Sequence, residues 1–342
     1  MAIKKIIVTG GCGYIGSHVA RAFKMNGDEV FIIDRVLREH TLKDIDGWFI
    51  DDFASEASLS TIIDMNPDVI VHCAGTSLVG PSMENPSEYY NNNVVKTITM
   101  LDVLKDLPKK PLIMFSSSAS VYGEPTELPI RESATIQPMS PYGNSKAMVE
   151  VALKDFWYAY GVPSLVFRYF NAAGAMPGTA DLGQEPGATH IIARILEAAL
   201  ARAQFIINGD TFDTLDGTCV RDYVHVWDIA LAHVKGAEFM LGVSGHHTSL
   251  TKHVASTPCT IYPRRFRTYN LGTNSGISNK QIADYVLKHY NLPYVTYGNA
   301  RKGDPAKLIA DATEAHTELG WIPQYSEIET IINTAYKWYS RN

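Results

Sequence analysis

The most constraining feature of the sequence is an alternation of short apolar runs and longer segments of helical periodicity through its first half. The apolar runs, rich in β-branched residues, fall at 3–9, 30–34, 69–73, 112–115 and 164–169. Segments of helical length and apolar spacing lie between them at 14–25, 86–107 and 141–160. Strands that alternate with helices form parallel sheets covered on both faces. The pattern therefore predicts an α/β fold built on a Rossmann-like, doubly wound parallel sheet.

The alternation loosens after residue 171, where Gly and Pro recur over 174–187. Helix-like segments at 190–203, 227–240, 278–289 and 313–319 occupy most of the remainder. We predict a Rossmann domain over residues 1–173 and a smaller C-terminal α/β lobe over 174–342 that binds the substrate. Because ligands of open α/β sheets bind in the crevice outside the strand ends, the seam between the two parts is the expected site.

Charge and cysteine content restrict the class of partner. A formal net charge of −6 disfavours nucleic acid, whose binding needs clustered Lys and Arg. No apolar run reaches the length of a membrane span, and glycines end the N-terminal apolar stretch too early for a signal sequence. The four cysteines lie far apart, which is typical of a reducing compartment. We predict a cytoplasmic protein with neither a nucleic-acid nor a membrane partner.

Residues 242–265 are polar and aperiodic, and they predict a long exposed loop. His246, His247, His253 and Cys259 lie in this segment, but their spacing matches no standard zinc pattern. A solvated loop is the favoured interpretation, and no metal site is predicted.

A glycine string follows the first predicted strand and opens the first predicted helix. Gly10, Gly13 and Gly16 stand there in the context of a dinucleotide fingerprint. Such glycines let the backbone approach a pyrophosphate, and the helix N-terminus supplies N–H donors. Asp34 ends the second strand, where a carboxylate binds adenosine ribose hydroxyls and repels a 2′-phosphate. These features predict NAD as the cofactor, although Arg35 follows and could serve the 2′-phosphate of NADP.

A second constellation combines a serine at a strand end with a tyrosine and a lysine four residues apart. Ser118 follows the run at 112–115, and Tyr142 and Lys146 share one face of the helix at 141–160. With the glycine motif, these residues resemble the Ser and YxxxK set of the extended short-chain dehydrogenase/reductase family. The resemblance implies that all three are catalytic.

The chemistry of a tyrosine base explains the lysine. An unperturbed tyrosine ionises near pH ~10, and each unit of downward pKa shift requires about 1.4 kcal/mol of preferential phenolate stabilisation. We expect the Lys146 ammonium and the oxidised nicotinamide to supply that stabilisation. Tyr142 would then act as the general base, with Ser118 hydrogen-bonded to the oxygen that loses its proton.

Further stretches resemble the UDP-glucose (UDP-galactose) 4-epimerase branch of that family. They are residues 72–75, 88–94, 115–123, 140–143, 168–171, 216–226, 269–272 and 301–305, and the resemblance covers nearly the whole chain apart from 242–265. It implies a UDP-sugar isomerase of carbohydrate (galactose) metabolism. Such an enzyme inverts C4 of the hexose through a 4-keto intermediate, by reversible hydride transfer to tightly bound NAD. The resemblance also implies a homodimer.

By the same resemblance, particular residues bind each ligand. Those expected to contact NAD are Gly10, Gly13, Tyr14, Ile15, Gly16, Asp34, Asp52, Phe53, Ala74, Gly75, Asn92, Ser116, Tyr142, Lys146 and Tyr169. Those expected to contact the UDP-sugar are Ser118, Tyr142, Asn171, His190, Ile191, Ile192, Arg221, Arg301 and Asp304. Arg221 and Arg301 would clamp the diphosphate, because a planar guanidinium suits paired oxygens. Asp304 would contact the uridine ribose.

Two alternatives stay open at this point. Leu308 stands where other members have Tyr or Cys in the hexose pocket, so the substrate could be another UDP-sugar, such as an N-acetylhexosamine, a pentose or a uronic acid. A catalytically inactive NAD-binding regulator would keep the fold without the chemistry. Elimination is disfavoured, because dehydratase relatives carry acidic residues beside the catalytic Ser or Thr and Ala119 follows Ser118 here.

Overall fold

The computed structural model describes residues 3–242, 266–301 and 304–341. Its strands are β1 Lys5–Thr9, β2 Glu29–Asp34, β3 Gly47–Ile50, β4 Val69–His72, β5 Leu112–Ser118, β6 Ser164–Tyr169, β7 Asn171–Ala173, β8 Phe205–Asn208, β9 Val220–Arg221, β10 Tyr223–His225, β11 Phe266–Leu271, β12 Ile277–Ser278, β13 Val295–Gly298 and β14 Lys307–Leu308. Its helices are α1 Tyr14–Met25, α2 Glu56–Met65, α3 Val79–Glu84, α4 Pro86–Tyr89, α5 Lys96–Leu104, α6 Pro141–Tyr160, α7 Ile191–Leu200, α8 Val226–Leu241, α9 Asn279–His289, α10 Thr313–Leu319 and α11 Ile328–Tyr339. A short π-helix, Tyr90–Val95, joins α4 to α5.

A seven-stranded parallel sheet organises the fold, in the order β11-β6-β5-β4-β1-β2-β3. β1 lies inside the sheet beside the central strand β4, and Thr9 pairs with Ile33 of β2 on one side and with His72 of β4 on the other. The chain winds outward from this point in both directions, so the strand order reverses between β1 and β4. A crevice opens outside the carboxyl ends of the strands at such a switch point. The glycines after β1 therefore lie in the crevice.

Apolar side chains of the sheet alternate between two buried clusters, as strand geometry requires. On β1, Ile6 and Val8 pack with residues of α1 and α8, whereas Ile7 packs with residues of α2, α5 and α6 on the opposite face. All three side chains are fully buried. Burial on both faces explains why the strands are continuous apolar runs in the sequence.

The C-terminal residues form a third buried cluster. Ile195 of α7, Ile282 of α9 and Ile331 of α11 meet there. Three small sheets lie around it, with the orders β10-β7, β12-β9-β14 and β13-β8. This part carries six of the residues that were predicted to bind the substrate, which are His190, Ile191, Ile192, Arg221, Arg301 and Asp304.

Several predicted elements have the predicted bounds, and others do not. The helices at 14–25, 141–160 and 313–319 are confirmed. The helix predicted over 86–107 is continuous from Pro86 to Leu104, but its residues 90–95 are π-helical, an insertion that a 3.6-residue periodicity does not register. The division at residues 173 and 174 stays a prediction; the sheet takes its edge strand β11 from residues 266–271.

The predicted loop at 242–265, with its histidines and Cys259, lies outside the described residues from 243 onward. Across the part of the chain that the structure describes, no helix combines the length and apolar character needed to cross a membrane. That part also contains no group of three or more His, Cys, Asp or Glu placed to hold a metal ion.

Candidate active site

The turn between β1 and α1 is closed by glycines because side chains there would meet backbone. Gly10 has φ +72°, and a Cβ on it would lie 2.6 Å from the Ala74 nitrogen. A Cβ on Gly16 would lie 2.2 Å from the Gly10 carbonyl oxygen. Gly13, the N-cap of α1, donates its amide to that carbonyl at 3.0 Å and has no side chain to cover the following amides. The first turn of α1 is thus built to receive an anionic group.

Asp34 is held at the end of β2 by two backbone amides. Its Oδ2 accepts from Cys12 at 2.9 Å, and its Oδ1 accepts from Val36 at 3.0 Å. Beside it lies a cleft of about 180 Å³, lined by Gly10, Gly13, Ile33, Asp34, Arg35, Arg38, Asp51, Asp52, Phe53, Cys73, Ala74, Gly75, Asn92 and Lys96. Eight of these were predicted from the sequence to contact NAD. A glycine cradle at one side and a carboxylate at the other fit a dinucleotide.

Two basic residues in this cleft were missed by the sequence reasoning. Lys96 makes a 2.5 Å ion pair with Asp52, and Arg38 donates to the Cys12 carbonyl at 3.0 Å. In each pair the two residues are distant in sequence, and no single motif contains both. Only the predicted assignment of Asp52 to the cofactor gave a hint of a cation nearby.

Ser118, Tyr142 and Lys146 are brought together at the carboxyl end of β5. α6 begins with Pro141 after the Ser140 side chain, which accepts from the Gly143 amide at 3.1 Å. The Lys146 ammonium donates to the Ser116 carbonyl at 2.8 Å and lies 5.9 Å from the centre of the Tyr142 ring. Ser118 lies near the Tyr142 hydroxyl, where it lowers the tyrosine pKa, and its own hydroxyl accepts from the Ser120 hydroxyl at 2.9 Å.

The protein environment moves the pKa values of the two α6 side chains in opposite directions. Burial lowers the pKa of Lys146 to about 8, against smaller effects of Cys73 and Glu150 that raise it. Burial raises the pKa of Tyr142, and the nearby Ser118 hydroxyl only partly offsets this. The expected lowering of the Tyr142 pKa is therefore not produced by these side chains. Desolvation outweighs them, so further positive charge is needed for base chemistry.

A chain of hydrogen bonds runs behind the catalytic group. The Ser116 hydroxyl lies 2.9 Å from the Tyr169 hydroxyl and 3.1 Å from the Cys73 sulfur. The Tyr169 hydroxyl lies 2.9 Å from Nε2 of His233, whose Nδ1 contacts the Ile229 carbonyl at 2.9 Å. Burial lowers the pKa of His233 to about 4, so the ring is neutral at physiological pH. Nδ1 therefore carries the proton, and Nε2 accepts from Tyr169.

The π-helix presents two asparagines to the end of β4. Asn93 accepts from the Thr76 amide at 2.7 Å and donates to the Ser145 hydroxyl at 2.9 Å. Asn92 donates to the Thr76 hydroxyl at 2.9 Å. The segment thereby ties the loop after Gly75 to the catalytic helix. π-Bulges occur frequently at functional sites.

The other predicted cofactor residues surround the cleft. Tyr14 donates its hydroxyl to the Gly174 carbonyl at 2.7 Å. Ile15 packs at the edge of the cluster that includes α1 and α8. Gly75 follows the end of β4 with φ +156°, and a Cβ on it would lie 2.8 Å from Oδ1 of Asn93 and 3.9 Å from the Lys146 ammonium. The loop after β4 and the lysine therefore share one wall.

A second, smaller pocket of about 70 Å³ lies in the C-terminal residues. It is lined by Thr189, Ile191, Arg194, Phe205, Ile206, Ile207, Asn208, Asn279, Arg301 and Asp304. With its amide oxygen toward Arg301, Asn208 accepts from Nε at 3.0 Å and from Nη2 at 3.1 Å. Ile191, Arg301 and Asp304 were predicted; Asn208, Asn279 and Arg194 were not, because they lie outside the recognised motifs.

The remaining predicted substrate residues take different places. Arg221 is buried on β9 and donates to the Val220 carbonyl at 2.9 Å. Asn171 begins β7, with its amide bound to the Asp222 carbonyl at 2.9 Å. His190 precedes α7 and contacts Gln184 at 2.8 Å, and its pKa is lowered by burial and by Arg301. Ile192 is buried in the core.

Comparison with known proteins gives full-length matches. A family model described as GDP-mannose 4,6 dehydratase matches residues 7–334. The UDP-glucose 4-epimerase of Halalkalibacterium halodurans is 36% identical over 98% of this chain and 96% of its own length. The corresponding enzyme of Lactobacillus helveticus is 37% identical over 98% of this chain and 97% of its own.

Solved structures give the same result. UDP-glucose 4-epimerase from Brucella ovis in complex with NAD superposes with a TM-score of 0.86 at 34% identity, covering 98% of each chain. The enzyme from Stenotrophomonas maltophila, with bound NAD and formylated UDP-arabinopyranose, gives a TM-score of 0.87 at 29% identity, covering 99% of this chain and 98% of its own.

The parallel sheet, with a glycine turn at its switch point and a serine–tyrosine–lysine set beside it, defines an extended short-chain dehydrogenase/reductase. The sequence similarity over the full length identifies a narrower family within this class. The chain belongs to the UDP-glucose 4-epimerase family.

Proposed function

We propose that the chain interconverts UDP-glucose and UDP-galactose by inverting C4 of the hexose, with NAD retained through the cycle. The observation that carries the proposal is the meeting of Ser118, Tyr142 and Lys146 next to the glycine cradle. The enzyme is an isomerase, because the sugar is oxidised and reduced again within one cycle.

NAD, when bound, supplies a reversible hydride acceptor beside C4 and a positive charge near Tyr142. Gly10, Gly13 and the first turn of α1 would hold its pyrophosphate, and Asp34 its adenosine ribose. The Asp34 carboxylate would repel a 2′-phosphate, whereas Arg35 and Lys96 in the same cleft would attract one. Dissociation constants for NAD and NADP test the assignment, with tighter NAD binding expected and tighter NADP binding against it.

The side chains of the catalytic group handle the proton. The Tyr142 phenolate takes it from the sugar 4-hydroxyl, Ser118 hydrogen-bonds the same oxygen, and the Lys146 ammonium stabilises the phenolate. Tyr142 returns the proton to that oxygen after the 4-keto sugar has presented its other face. Ala119 follows Ser118, so no carboxylic acid from the adjoining residue competes by promoting elimination.

The second pocket supports a UDP site. Arg301, already hydrogen-bonded by Asn208, and Arg221 on β9 would bind the diphosphate oxygens. Asp304 lines the same pocket and would accept from the uridine ribose. Asn171 would reach the sugar from the seam between the two pockets.

One assay tests the function directly. Purified protein is incubated with UDP-galactose without added cofactor, and UDP-glucose is measured by chromatography. Formation of UDP-glucose is expected, because NAD is carried on the enzyme. UDP-N-acetylhexosamine, UDP-pentose and UDP-uronic acid are assayed in parallel, and turnover of one of them in place of UDP-galactose would identify another substrate. Absence of turnover on every sugar would support the inactive regulator.

The chain also carries an apolar surface suited to a homodimer. Ile98 of α5 and Met148, Val151 and Tyr158 of α6 are exposed on neighbouring helices. Exposed apolar groups gathered on a face are typical of association surfaces. Light scattering should give a dimer that Val151→Glu dissociates, whereas Ile322→Glu, an exposed apolar residue elsewhere, leaves it intact. A monomer at all concentrations would contradict this.

The free state of the cysteine thiols supports a cytoplasmic location. Cys12, Cys73 and Cys219, the cysteines that the structure describes, are all free. Free buried thiols are typical of a reducing compartment.

A further inference from the structure

A buried ion pair lies one helical turn beyond the catalytic lysine. Glu150, on α6, accepts from Arg168 of β6 at 2.6 Å through Nη2 and at 3.1 and 3.2 Å through Nε. The side chains are 9% and 8% exposed, respectively. Removing two charges from water is costly, so a buried pair is weak evidence for a purely stabilising role.

The carboxylate has a further partner on the catalytic strand. The Ser117 hydroxyl donates to Oε1 of Glu150 at 2.5 Å. Ser117 stands between Ser116, whose carbonyl accepts from Lys146, and the catalytic Ser118. Two successive turns of α6 are therefore fastened to two successive residues of β5. The contact between Lys146 and Ser116 fixes one point, and the contact between Glu150 and Ser117 fixes the second.

The second attachment adds to the apolar packing of α6 and to its contact with Asn93, and it restricts rotation of the helix about the first attachment. Tyr142 is two turns from Glu150 on α6, and Ser118 follows Ser117 directly, so a pivot would separate Tyr142 from Ser118. Arg168 holds the carboxylate from β6 and is itself fixed by the Tyr122 hydroxyl at 2.8 Å. Glu150 also opposes the lowering of the Lys146 pKa by burial.

We propose that Glu150, anchored by Arg168, is a positioning residue that sets the register of α6 against β5 through Ser117. The inference rests on the proposed function, since it concerns the geometry of that reaction. It assigns to the ion pair the placement of Tyr142 and Lys146 against Ser118. Glu150 itself does not touch the substrate.

Ser117→Ala tests the link with little risk to folding, because it removes one hydroxyl and leaves the ion pair. A misplacement of the base should lower kcat about 10- to 100-fold. KM for UDP-galactose and the NAD content should stay within about 2-fold, since the binding residues are unchanged. The matched control is Ser164→Ala, a buried serine on β6 whose hydroxyl donates to the Val162 carbonyl at 3.4 Å.

A role in stability alone predicts a different result. Ser117→Ala would then lower the thermal midpoint, while kcat per NAD-loaded site would match that of Ser164→Ala. Such a match would overturn the inference. Activity of the wild type and of Ser164→Ala on UDP-galactose separately reports on the proposed function.

A second variant keeps the charge and shortens the reach. Glu150→Asp retains a carboxylate for Arg168 but is one methylene shorter, so the hydrogen bond with the Ser117 hydroxyl should be lost. We expect kcat to fall by a factor similar to that of Ser117→Ala. If both changes break one contact, the double variant should be no slower than the slower single variant. If the kcat reductions of the two single variants instead multiplied in the double variant, the two changes would not act through one contact.

Crystal structures of Ser117→Ala and Ser164→Ala read the geometry without any substrate. A changed separation of Tyr142 from Ser118 in the first variant alone is expected. Unchanged separation would overturn the inference even if the wild type proved inactive on UDP-galactose.

Discussion

Without a cofactor, the surroundings of Tyr142, the proposed general base, favour its protonated form. Burial raises its pKa, and the nearby Ser118 hydroxyl offsets this only in part. The positive charge of a bound oxidised dinucleotide would lower the pKa of Tyr142, so the phenolate would form only when the cofactor occupies the cleft. Coupling of this kind prevents proton abstraction in an enzyme that lacks its cofactor.

Replacing Tyr142 by Phe should retain NAD and lower kcat by at least about 100-fold, because general-base catalysis is removed while the cleft is unchanged. NAD released by denaturation is quantified beside the kinetic assay. Tyr158→Phe, an exposed tyrosine on the same helix, serves as the control and should behave as wild type. Near-normal turnover of Tyr142→Phe would remove the tyrosine from the mechanism.

Lys146→Ala should lower both the rate and the amount of NAD that survives gel filtration, because the ammonium faces the loop that lines the cleft. The bound nucleotide is measured by absorbance after the column. Lys154→Ala, an exposed lysine on α6, should lose neither. If Lys146→Ala kept its full NAD content, the lysine would have no role in retaining NAD and would act only through Tyr142.

At the scale of single elements, the turn before α1 and the π-helix before α5 differ in how far the sequence revealed them. The glycines predict their turn because part of its steric requirement is local in sequence, as a Cβ on Gly16 would meet the Gly10 carbonyl. The π-helix depends on Asn93 reaching Thr76 and Ser145, which lie far along the chain. Local periodicity cannot report such contacts. For the same reason, Lys96 and Arg38 were absent from the predicted cofactor residues.

Gly16→Ala isolates the steric requirement of the glycine turn. Gly16 has ordinary helical backbone, so an added Cβ introduces no conformational strain but meets the Gly10 carbonyl. The turn should open, and NAD should be lost on gel filtration. Gly80→Ala, where a Cβ meets nothing within 4 Å, is the control. Retention of NAD by both variants would show that the turn can adjust.

At the scale of the whole molecule, the part that the structure describes contains four buried histidines, and burial favours the neutral form of each. Burial lowers the pKa of His18 and His233 to about 4 and of His72 and His225 to about 3. The unfolded chain takes up protons below its ordinary histidine pKa of about 6.5, whereas the folded chain does not until about 4. The free energy of unfolding should therefore fall as the pH is lowered through this window.

The urea midpoint measured from about pH 7.5 to about pH 5 checks this, with each buried histidine contributing at most about 1.4 kcal/mol per pH unit. His233→Gln should flatten the dependence, whereas His289→Gln, at an exposed position, should not. A midpoint independent of pH would contradict the argument.

The sequence carried the fold class and the serine–tyrosine–lysine group because local patterns determine both. The layout of the sheet was less accessible. β11 completes the sheet beside β6, although helices α7 and α8 and the strands β7 to β10 separate the two in the chain. Pairing of strands over that distance is a tertiary contact, which residue patterns along the chain do not specify.

This late strand has a consequence for biosynthesis. While the polypeptide emerges from the ribosome, β6 presents unpaired backbone groups until residues 266–271 have been translated. A chain stalled before that point carries an open sheet margin available to other nascent chains. Completion of the seven-stranded sheet therefore waits until helices α7 and α8 have been made.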